Sequence, residues 1–221
     1  MTDFALARKN MIDSQIATMG VIDHSLLDIL GRVPRELFVP QGKQAMAYSD
    51  EDLPLGNGAF LMEPLIFARL VQAGAPQPGD SVLCIGDPTG YAASVLSELA
   101  GRVIALETAR GQFESARRTW ESLSCHNIEV AHGAADAGCP EQGLFSLIFI
   151  FGSAPAVPPA LTAQLEPGRG RLLAVLRKPE APCGQAVIME RLADGVVCSK
   201  MLFDAATPFV PELIPKQGFV F

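Results

Sequence analysis

The sequence predicts an α/β protein built on a seven-stranded, mostly parallel sheet with helices on both faces. Between residues 81 and 176, short apolar runs of strand length alternate with segments of helical periodicity. This alternation is typical of parallel strands joined by helical crossovers. Residues 185–191 and 196–203 then flank Asp194-Gly195, a dipeptide that favours a tight hairpin turn. The sheet is therefore expected to end in antiparallel strands.

The composition indicates a single domain of 221 residues, of which 49% are apolar, enough for a sizeable core. No apolar run approaches the roughly 20 residues that cross a bilayer, and residues 1–10 contain no signal-peptide hydrophobic segment. We therefore expect a cytoplasmic protein that does not insert into membranes. The net charge of −7 and the lack of Lys and Arg clusters disfavour nucleic acid as a partner.

The cysteines and histidines do not predict a metal site. The five cysteines are odd in number and widely spaced, without a Cys-x-x-Cys motif, so free thiols are expected. The three histidines form no His-x-x-x-His or Glu-x-x-His pair.

The N-terminal 75 residues are expected to form a helical extension followed by a loop. Apolar spacing predicts a helix over 4–19 that ends at Gly20, and Asp23 can cap a second helix over 25–31. The residues expected on the buried stripe of the first helix are Ile12, Ile16 and Met19.

Residues 48–58 are rich in Asp, Glu, Pro and Gly and predict a loop. Pro64 is expected in the first turn of a helix over 64–72, because proline is well tolerated where no intrahelical N–H bond is made. This helix leads into the central strand of the sheet.

The core is arranged around one strand–loop–helix unit. Residues 81–85 predict a buried strand, residues 86–90 a tight loop, and residues 91–99 a helix. Asp87 and Pro88 are typical of a helix start, as N-cap and first helical residue. Units of this order cradle phosphates or nucleotides in many folds, but they are also ordinary architecture. The dinucleotide fingerprint would need glycine at Pro88, so it is not matched.

The remaining elements complete the sheet. The predicted strands are 102–106, which leads to Glu107, 128–132, 144–151 and 171–176, and the predicted helices are 111–123 and 158–165. Residues 76–180 make up this core, residues 181–221 supply the antiparallel strands, and residues 219–221 are expected to add an edge strand.

Ordered motifs through the first half of the chain carry a family resemblance. They are Val33-Pro-Arg-Glu-Leu-Phe-Val-Pro40, Ala47-Tyr48, Leu53-Pro-Leu-Gly-x-Gly58, Ile85-Gly86 and Gly90-Tyr91. With them, the chain resembles the protein-L-isoaspartate (D-aspartate) O-methyltransferases over residues 10–178. The resemblance implies a Rossmann-like class I methyltransferase fold that uses S-adenosylmethionine. It also implies a protein or peptide substrate and a repair reaction, carboxyl methyl transfer to altered aspartyl residues.

The resemblance places cofactor contacts at Gly86, Asp87, Gly90, Glu107, Gly133 and Asp136. An acidic side chain such as Glu107 at a strand end can accept hydrogen bonds from both ribose hydroxyls. Asp136 lies two residues beyond Ala134, where the family carries an aspartate toward adenine. The acid that holds the methionine end is Cys84 here, and the middle loop glycine is Pro88. Proline supplies neither a positive φ nor an N–H donor.

The methyl-acceptor motif of the family, Gln-Thr-Ile-Ser-x-Pro, reads Ala59-Phe-Leu-Met-Glu-Pro64 here. Its hydroxyl-bearing positions become Phe60 and Met62, which cannot donate hydrogen bonds to a carboxylate. These side chains can pack inward and seal the cleft, or remain outside as a patch for a partner such as a second copy of the chain. We expect the inward arrangement. Asp87 and Pro88 are expected to take up the loop's donors within the chain, so the cleft needs less space for a ligand.

Two functions are compatible with these motifs. The first is S-adenosylmethionine-dependent carboxyl methyl transfer to altered aspartyl residues. The alternative is a non-catalytic relative that keeps the fold as a binding or assembly module, which the losses at Cys84, Pro88 and Ala134 favour. Methylation of a more apolar acceptor is a third reading, and a homo-oligomer is compatible with each.

Overall fold

A seven-stranded sheet with helices on both faces forms the centre of the protein, as the sequence predicts. The computed structural model describes residues 3–215. The strands are β1 (Leu53–Gly56), β2 (Ala59–Leu61), β3 (Ser81–Ile85), β4 (Arg102–Glu107), β5 (Ile128–His132), β6 (Leu147–Ala154), β7 (Arg171–Leu176), β8 (Gly184–Arg191) and β9 (Val197–Ala205). The helices are α1 (Phe4–Asn10), α2 (His24–Arg32), α3 (Pro64–Gly74), α4 (Tyr91–Ser97), α5 (Glu114–Ser122) and α6 (Pro159–Ala163).

The main sheet has the strand order β5-β4-β3-β6-β7-β8-β9. Its first five strands are parallel, whereas β8 and β9 are antiparallel. The predicted parallel core and antiparallel end are therefore both confirmed. Because β3 lies inside the sheet, its side chains are buried on both faces: Val82 and Cys84 join one hydrophobic cluster, and Leu83 and Ile85 join the other.

The N-terminal segment is not the single regular helix predicted over residues 4–19. After α1 it continues as a π-helical stretch, Met11–Ile16, and a 3₁₀ turn, Ala17–Met19, before Gly20 takes a left-handed conformation with φ 90°. The wider turn changes which side chains face the core. Met19 is consequently 56% exposed rather than part of the buried stripe. The second helix begins as predicted, with Asp23 accepting from the Leu26 N–H at 3.1 Å.

Residues 48–58 are not all loop, because β1 pairs with β2 in an antiparallel hairpin. The turn between these strands is Asn57-Gly58, with φ values of 53° and 79°. Asn-Gly is the dipeptide that best tolerates two consecutive positive φ angles. The hairpin signal was therefore present in the sequence and was missed.

Several further element boundaries differ from the predicted ones, and two of the shifts have a clear physical reason. β6 runs to Ala154 rather than residue 151, since an irregularity in its pairing with β7 brings Ser153 opposite Val175. Helix α5 begins at Glu114 rather than residue 111, because Gly111 has φ 81° and cannot continue a right-handed helix. The edge strand predicted for residues 219–221 lies outside the described residues. Within those residues, no helix has the length and apolarity that crossing a bilayer requires.

The packing of α3 against the sheet gives the first prediction. A Cβ atom added at Gly74, the last residue of α3, would lie 2.7 Å from Cζ of Phe149 and 2.9 Å from Cδ2 of Leu173. We expect Gly74→Ala to lower the free energy of unfolding by about 1–3 kcal/mol in urea denaturation. Gly79→Ala is the control, because a Cβ there has no atom within 4 Å, and it should change stability by less than about 0.5 kcal/mol. Equal effects of the two variants would contradict this packing.

Candidate functional site

The carboxyl ends of β3, β4 and β5 meet at one edge of the sheet. β3 leads into the loop at Gly86, β4 ends at Glu107, and β5 ends at His132. β4 pairs with both neighbours, so the three ends are adjacent. Gly133 and Ala134 line the open groove beside Glu107. Ligands bind at this edge in open α/β sheets, which makes it the candidate site.

A hydrogen-bond network around Asp87 fixes the loop after β3. The buried carboxylate accepts bonds from the main-chain N–H and hydroxyl of Thr89 (3.1 and 2.8 Å). It also accepts from the N–H groups of Gly90 (3.1 Å), Ala92 (2.9 Å) and Ala93 (3.4 Å). Burial raises the pKa of Asp87, and these hydrogen bonds to its charged form oppose the rise. The carboxylate is thus committed to the chain's own donors.

Helix α4 begins at Tyr91, as the helix predicted over 91–99 does, and Pro88 is therefore not its first residue. Gly90 is its N-cap residue and has φ 79°. Asp87 is therefore not the N-cap residue, although its side chain satisfies the free N–H groups of the helix from further back along the chain. The capping roles predicted for Asp87 and Pro88 are wrong because a tertiary contact with Trp120 fixes the turn at Gly90.

Both predicted loop glycines are required by close packing. A Cβ at Gly90 would lie 2.6 Å from the ring of Trp120, whose Nε1 donates to the Gly90 carbonyl at 2.9 Å. A Cβ at Gly86 would lie 2.6 Å from Cγ2 of Val210. Both positions also have positive φ. The glycines are thus explained by the fold and do not by themselves indicate a ligand.

Glu107 presents a buried carboxylate at the end of β4. Its Oε2 lies 2.8 Å from Nδ1 of His132, and its Oε1 accepts from the N–H of Phe113 at 3.2 Å. A carboxylate oxygen can accept two hydrogen bonds, so each keeps one acceptor site. Glu107 is therefore held in place by the protein and remains able to bind hydroxyl groups.

Asp136 is exposed and is not among the residues that line the groove. Ala134 lines the groove and offers no side-chain acceptor. Two side chains that the sequence reasoning did not assign, Arg110 and His132, stand at the rim instead. Within residues 3–215, no group of three or more His, Cys, Asp or Glu side chains is placed to hold a metal ion.

Phe60 and Met62 point inward, each 5% exposed. Together with Pro88 and Tyr91 they surround a cavity of about 10 Å³. Such a volume holds about one water molecule. Of the two arrangements considered for this segment, the structure has the sealed one.

A larger cavity of about 240 Å³ lies on the other side of Phe60. It is bounded by Gly86, Thr108, Gln112 and the C-terminal segment at Val210–Glu212. The hydroxyl of Thr108 donates to Glu212 at 2.9 Å, and this bond joins the C-terminal segment to the loop after β4. The cavity is the remaining space in the cleft between the glycine loop and the residues that follow β4.

An acidic neighbourhood follows Met62. Burial, followed by the charges of Asp50 and Asp52, raises the pKa of Glu63 to about 7. Asp52 accepts from the Glu63 N–H and from the hydroxyl of Thr207, both at 3.0 Å. The hairpin is therefore fastened to the C-terminal segment by Asp52.

Comparison with known proteins identifies the family. The family model described as Protein-L-isoaspartate(D-aspartate) O-methyltransferase matches residues 6–213. The chain belongs to this family. It is 35% identical to the protein-L-isoaspartate O-methyltransferase of Trichlorobacter lovleyi, over 99% of this chain and 98% of the relative. The corresponding protein of Koribacter versatilis is 36% identical, over 99% and 96% of the two chains.

Solved structures of protein-L-isoaspartate O-methyltransferases share the fold. One superposes with a TM-score of 0.77 at 23% identity, covering 91% of this chain and 65% of that chain. Another, from Plasmodium falciparum and reported in complex with S-adenosyl-L-homocysteine, has a TM-score of 0.74 at 17% identity and covers 96% and 100%. The class I methyltransferase architecture expected from the motifs is confirmed.

The cofactor implied by the family, S-adenosylmethionine, can be compared with the residues present. Glu107 fits the ribose, because both of its oxygens retain an acceptor site. Among the residues assigned to the methionine end, no free acidic side chain is available. Cys84 is buried in the core, and burial raises the pKa of its thiol. The carboxylate of Asp87 already accepts hydrogen bonds from the first turn of α4. The residues present therefore fit the ribose, whereas neither the adenine amino group nor the methionine end meets a free acidic side chain among the residues assigned to them.

Sequence reasoning missed two features of this protein-L-isoaspartate O-methyltransferase fold. The C-terminal segment returns over the cleft, for which the family-like motif Phe209-Val-Pro211 was the available signal. Arg35 is buried beneath Met62, to whose carbonyl it donates, and its Nε donates to the Ala47 carbonyl at 2.6 Å. Its position inside the Val-Pro-Arg-Glu motif gave no sign of this contact.

The sealed arrangement gives a prediction for Phe60→Ser combined with Met62→Ser. Removing two buried apolar side chains and burying hydroxyls should lower the free energy of unfolding by about 3 kcal/mol or more in urea denaturation. Ile22→Ser, at a side chain that is 76% exposed, is the control and should change little. A double variant that keeps its melting temperature but changes its oligomeric state in sedimentation would show that the segment is an interface.

The raised pKa of Glu63 gives a prediction on pH. The pKa of Glu63 is about 7 in the folded protein and lies above the ordinary 4.5, so folding favours the protonated side chain. The contribution of this protonation to the free energy of unfolding is complete below about pH 4.5 and is lost as the pH rises through about 7. The substitution Glu63→Gln removes the charge that is unfavourable at high pH. Its effect on the free energy of unfolding should therefore be more stabilising at about pH 8 than at about pH 5, by about 1 kcal/mol after solvent screening. Urea denaturation at both pH values measures this. Glu51→Gln, an exposed neighbour, should show no such change.

Proposed function

We propose that this protein is a protein-L-isoaspartate O-methyltransferase-like enzyme. It binds S-adenosylmethionine along the carboxyl edge of β3, β4 and β5 and methylates the carboxylate of altered aspartyl residues in proteins. The observation that carries the proposal is Glu107, a buried carboxylate held in place beside an open groove at the ribose position. Family membership over nearly the whole chain supports it.

The proposed chemistry asks little acid–base work of the protein. When bound, the cofactor supplies a methyl group on a positively charged sulfur, and the substrate carboxylate is already a nucleophile. The chain's own part is alignment and exclusion of water. Phe60, Met62, Phe67 and Phe151, which line the small cavity, give this half of the cleft the apolar walls that exclude water. Arg35 supports these walls from below.

The proposal includes a role in protein repair and a place in the cytoplasm. Repair follows from the acceptor, since methylation of an isoaspartyl carboxylate activates it for return to aspartate. A cytoplasmic location is consistent with the acidic net charge of −7 and with the need for a pool of S-adenosylmethionine.

A non-catalytic relative is the second candidate, and two observations favour it. Phe60 and Met62 occupy the acceptor side of the cleft, which leaves a cavity of about 10 Å³. Asp87 takes up the donors at the start of α4. In this reading the fold is kept as a binding or assembly module.

Isothermal titration with S-adenosylhomocysteine separates the two candidates. We expect binding in the high-micromolar range, because two lost hydrogen bonds weaken affinity by roughly 30- to 150-fold. Glu107→Gln should weaken binding by about a further tenfold, and Glu114→Gln, at an exposed carboxylate on α5, should not. Methyl transfer from labelled S-adenosylmethionine to an isoaspartyl peptide should also be measured. Absence of any binding at millimolar ligand would overturn the enzyme proposal.

A further inference from the structure

A second groove lies on the same edge of the sheet, at the carboxyl end of β7. It has a volume of about 510 Å³ and is lined by Pro155, Arg177, Lys178, Gln185 and Asp204, among others. Its floor is Gly184 at the start of β8, where a Cβ would lie 2.4 Å from the Leu176 carbonyl oxygen. The groove is open to solvent and contains none of the residues assigned above to the cofactor.

Arg177 is a half-buried cation held in a fixed position in this groove. Its guanidinium lies 4.1 Å from the centre of the Phe209 ring, and its Nη1 donates to the Ala181 carbonyl at 3.5 Å. Its buried Nε has no hydrogen-bond partner. In the described part of the chain it forms no ion pair with a carboxylate. A stacked guanidinium loses little conformational freedom when it binds an anion.

The groove carries charges of both signs, and its two cations are Arg177 and Lys178. Lys178 is exposed and forms no ion pair within residues 3–215. Asp204, across the groove on β9, is the one carboxylate among the lining residues, and Glu180 follows in the adjoining loop. Neither acid forms an ion pair with Arg177 or Lys178 within residues 3–215, so both cations remain available to an anion.

The groove is separated from the cleft by one segment of chain. Phe209 stacks on Arg177 on the groove side, and the next residue, Val210, lines the 240 Å³ cavity. Ser153 holds the segment between them, donating its N–H to the Pro208 carbonyl at 2.7 Å and accepting from the Val210 N–H at 2.9 Å. A Cβ at Gly152, the residue before Ser153, would lie 3.1 Å from Cζ of Phe60 and 3.2 Å from the Pro208 carbonyl oxygen. The groove therefore begins close to Phe60, on the acceptor side of the cleft.

We propose that this groove binds a carboxylate of the acceptor polypeptide, near the residue that is methylated. The proposal rests on the proposed function and adds a substrate class, peptides with an acidic side chain close to the altered aspartyl residue. The planar guanidinium of Arg177 can donate two parallel hydrogen bonds to such a carboxylate, and Lys178 adds a second charge. Because an extended peptide advances about 3.3 Å per residue, we expect the acidic residue within a few positions of the acceptor.

Fluorescence anisotropy with two labelled isoaspartyl peptides tests this proposal. One peptide carries Glu at the third position before and at the third position after the isoaspartate. The other carries Gln at both positions and is otherwise identical. We expect the Glu peptide to bind about tenfold more tightly, and the preference to fall as salt is added. Arg177→Gln should abolish the preference, Arg177→Lys should retain part of it, and Lys178→Gln should reduce it. Lys200→Gln, a matched loss of an exposed charge on β9, should leave it intact.

Parallel titrations with S-adenosylhomocysteine distinguish the two proposals. If wild type binds the nucleoside but binds both peptides equally, the groove proposal is overturned and the proposed function stands. If the Glu peptide is preferred through Arg177 while the nucleoside is not bound, the groove is correct and the enzyme proposal fails. Unchanged melting temperatures confirm that the variants are folded, and a preference that survives Arg177→Gln in folded protein overturns the assignment.

Discussion

The structure at the carboxyl edge depends on how the free N–H groups at the start of α4 are satisfied. Asp87 accepts three of its five hydrogen bonds from Gly90, Ala92 and Ala93. A buried N–H group left without a partner costs about 1–3 kcal/mol, so this carboxylate fixes the loop strongly. Gly90 must then adopt a positive φ beneath Trp120. The loop that would otherwise donate to a ligand is consequently stabilised by the chain itself.

This constraint divides the cleft into two unlike halves. On the nucleoside side, Glu107 is held by His132 and Phe113 yet keeps acceptor sites that face an open groove. On the acceptor side, Phe60 and Met62 are buried, and apolar burial of this kind stabilises by about 1.5–3 kcal/mol per large side chain. The polar half is thus open to solvent in this structure, whereas the apolar half is closed around a cavity of about 10 Å³.

Much of the fold was predictable because local patterns and tertiary structure agree. Buried parallel strands appear in the sequence as short continuous apolar runs, and the bounds of β3 and β7 were obtained in this way. The N-cap of α2 was predictable for the same reason, since Asp23 bonds within its own turn. The hairpin at Asn57-Gly58 was equally local and was missed. The family motifs added the identity of the cleft, which no local pattern supplies.

Three features could be derived from the amino-acid sequence alone: the α/β class, the strand–loop–helix unit around Gly86 to Gly90, and the replacement of hydroxyls by Phe60 and Met62. Long-range contacts set the others. Gly90 in place of Asp87 is the N-cap of α4 because Trp120, thirty residues away, packs on that glycine. His132 reaches Glu107 only because β4 and β5 are neighbours. These contacts join residues far apart in the chain, and neither the periodicity nor the propensity of a segment contains information about its partners across the sheet.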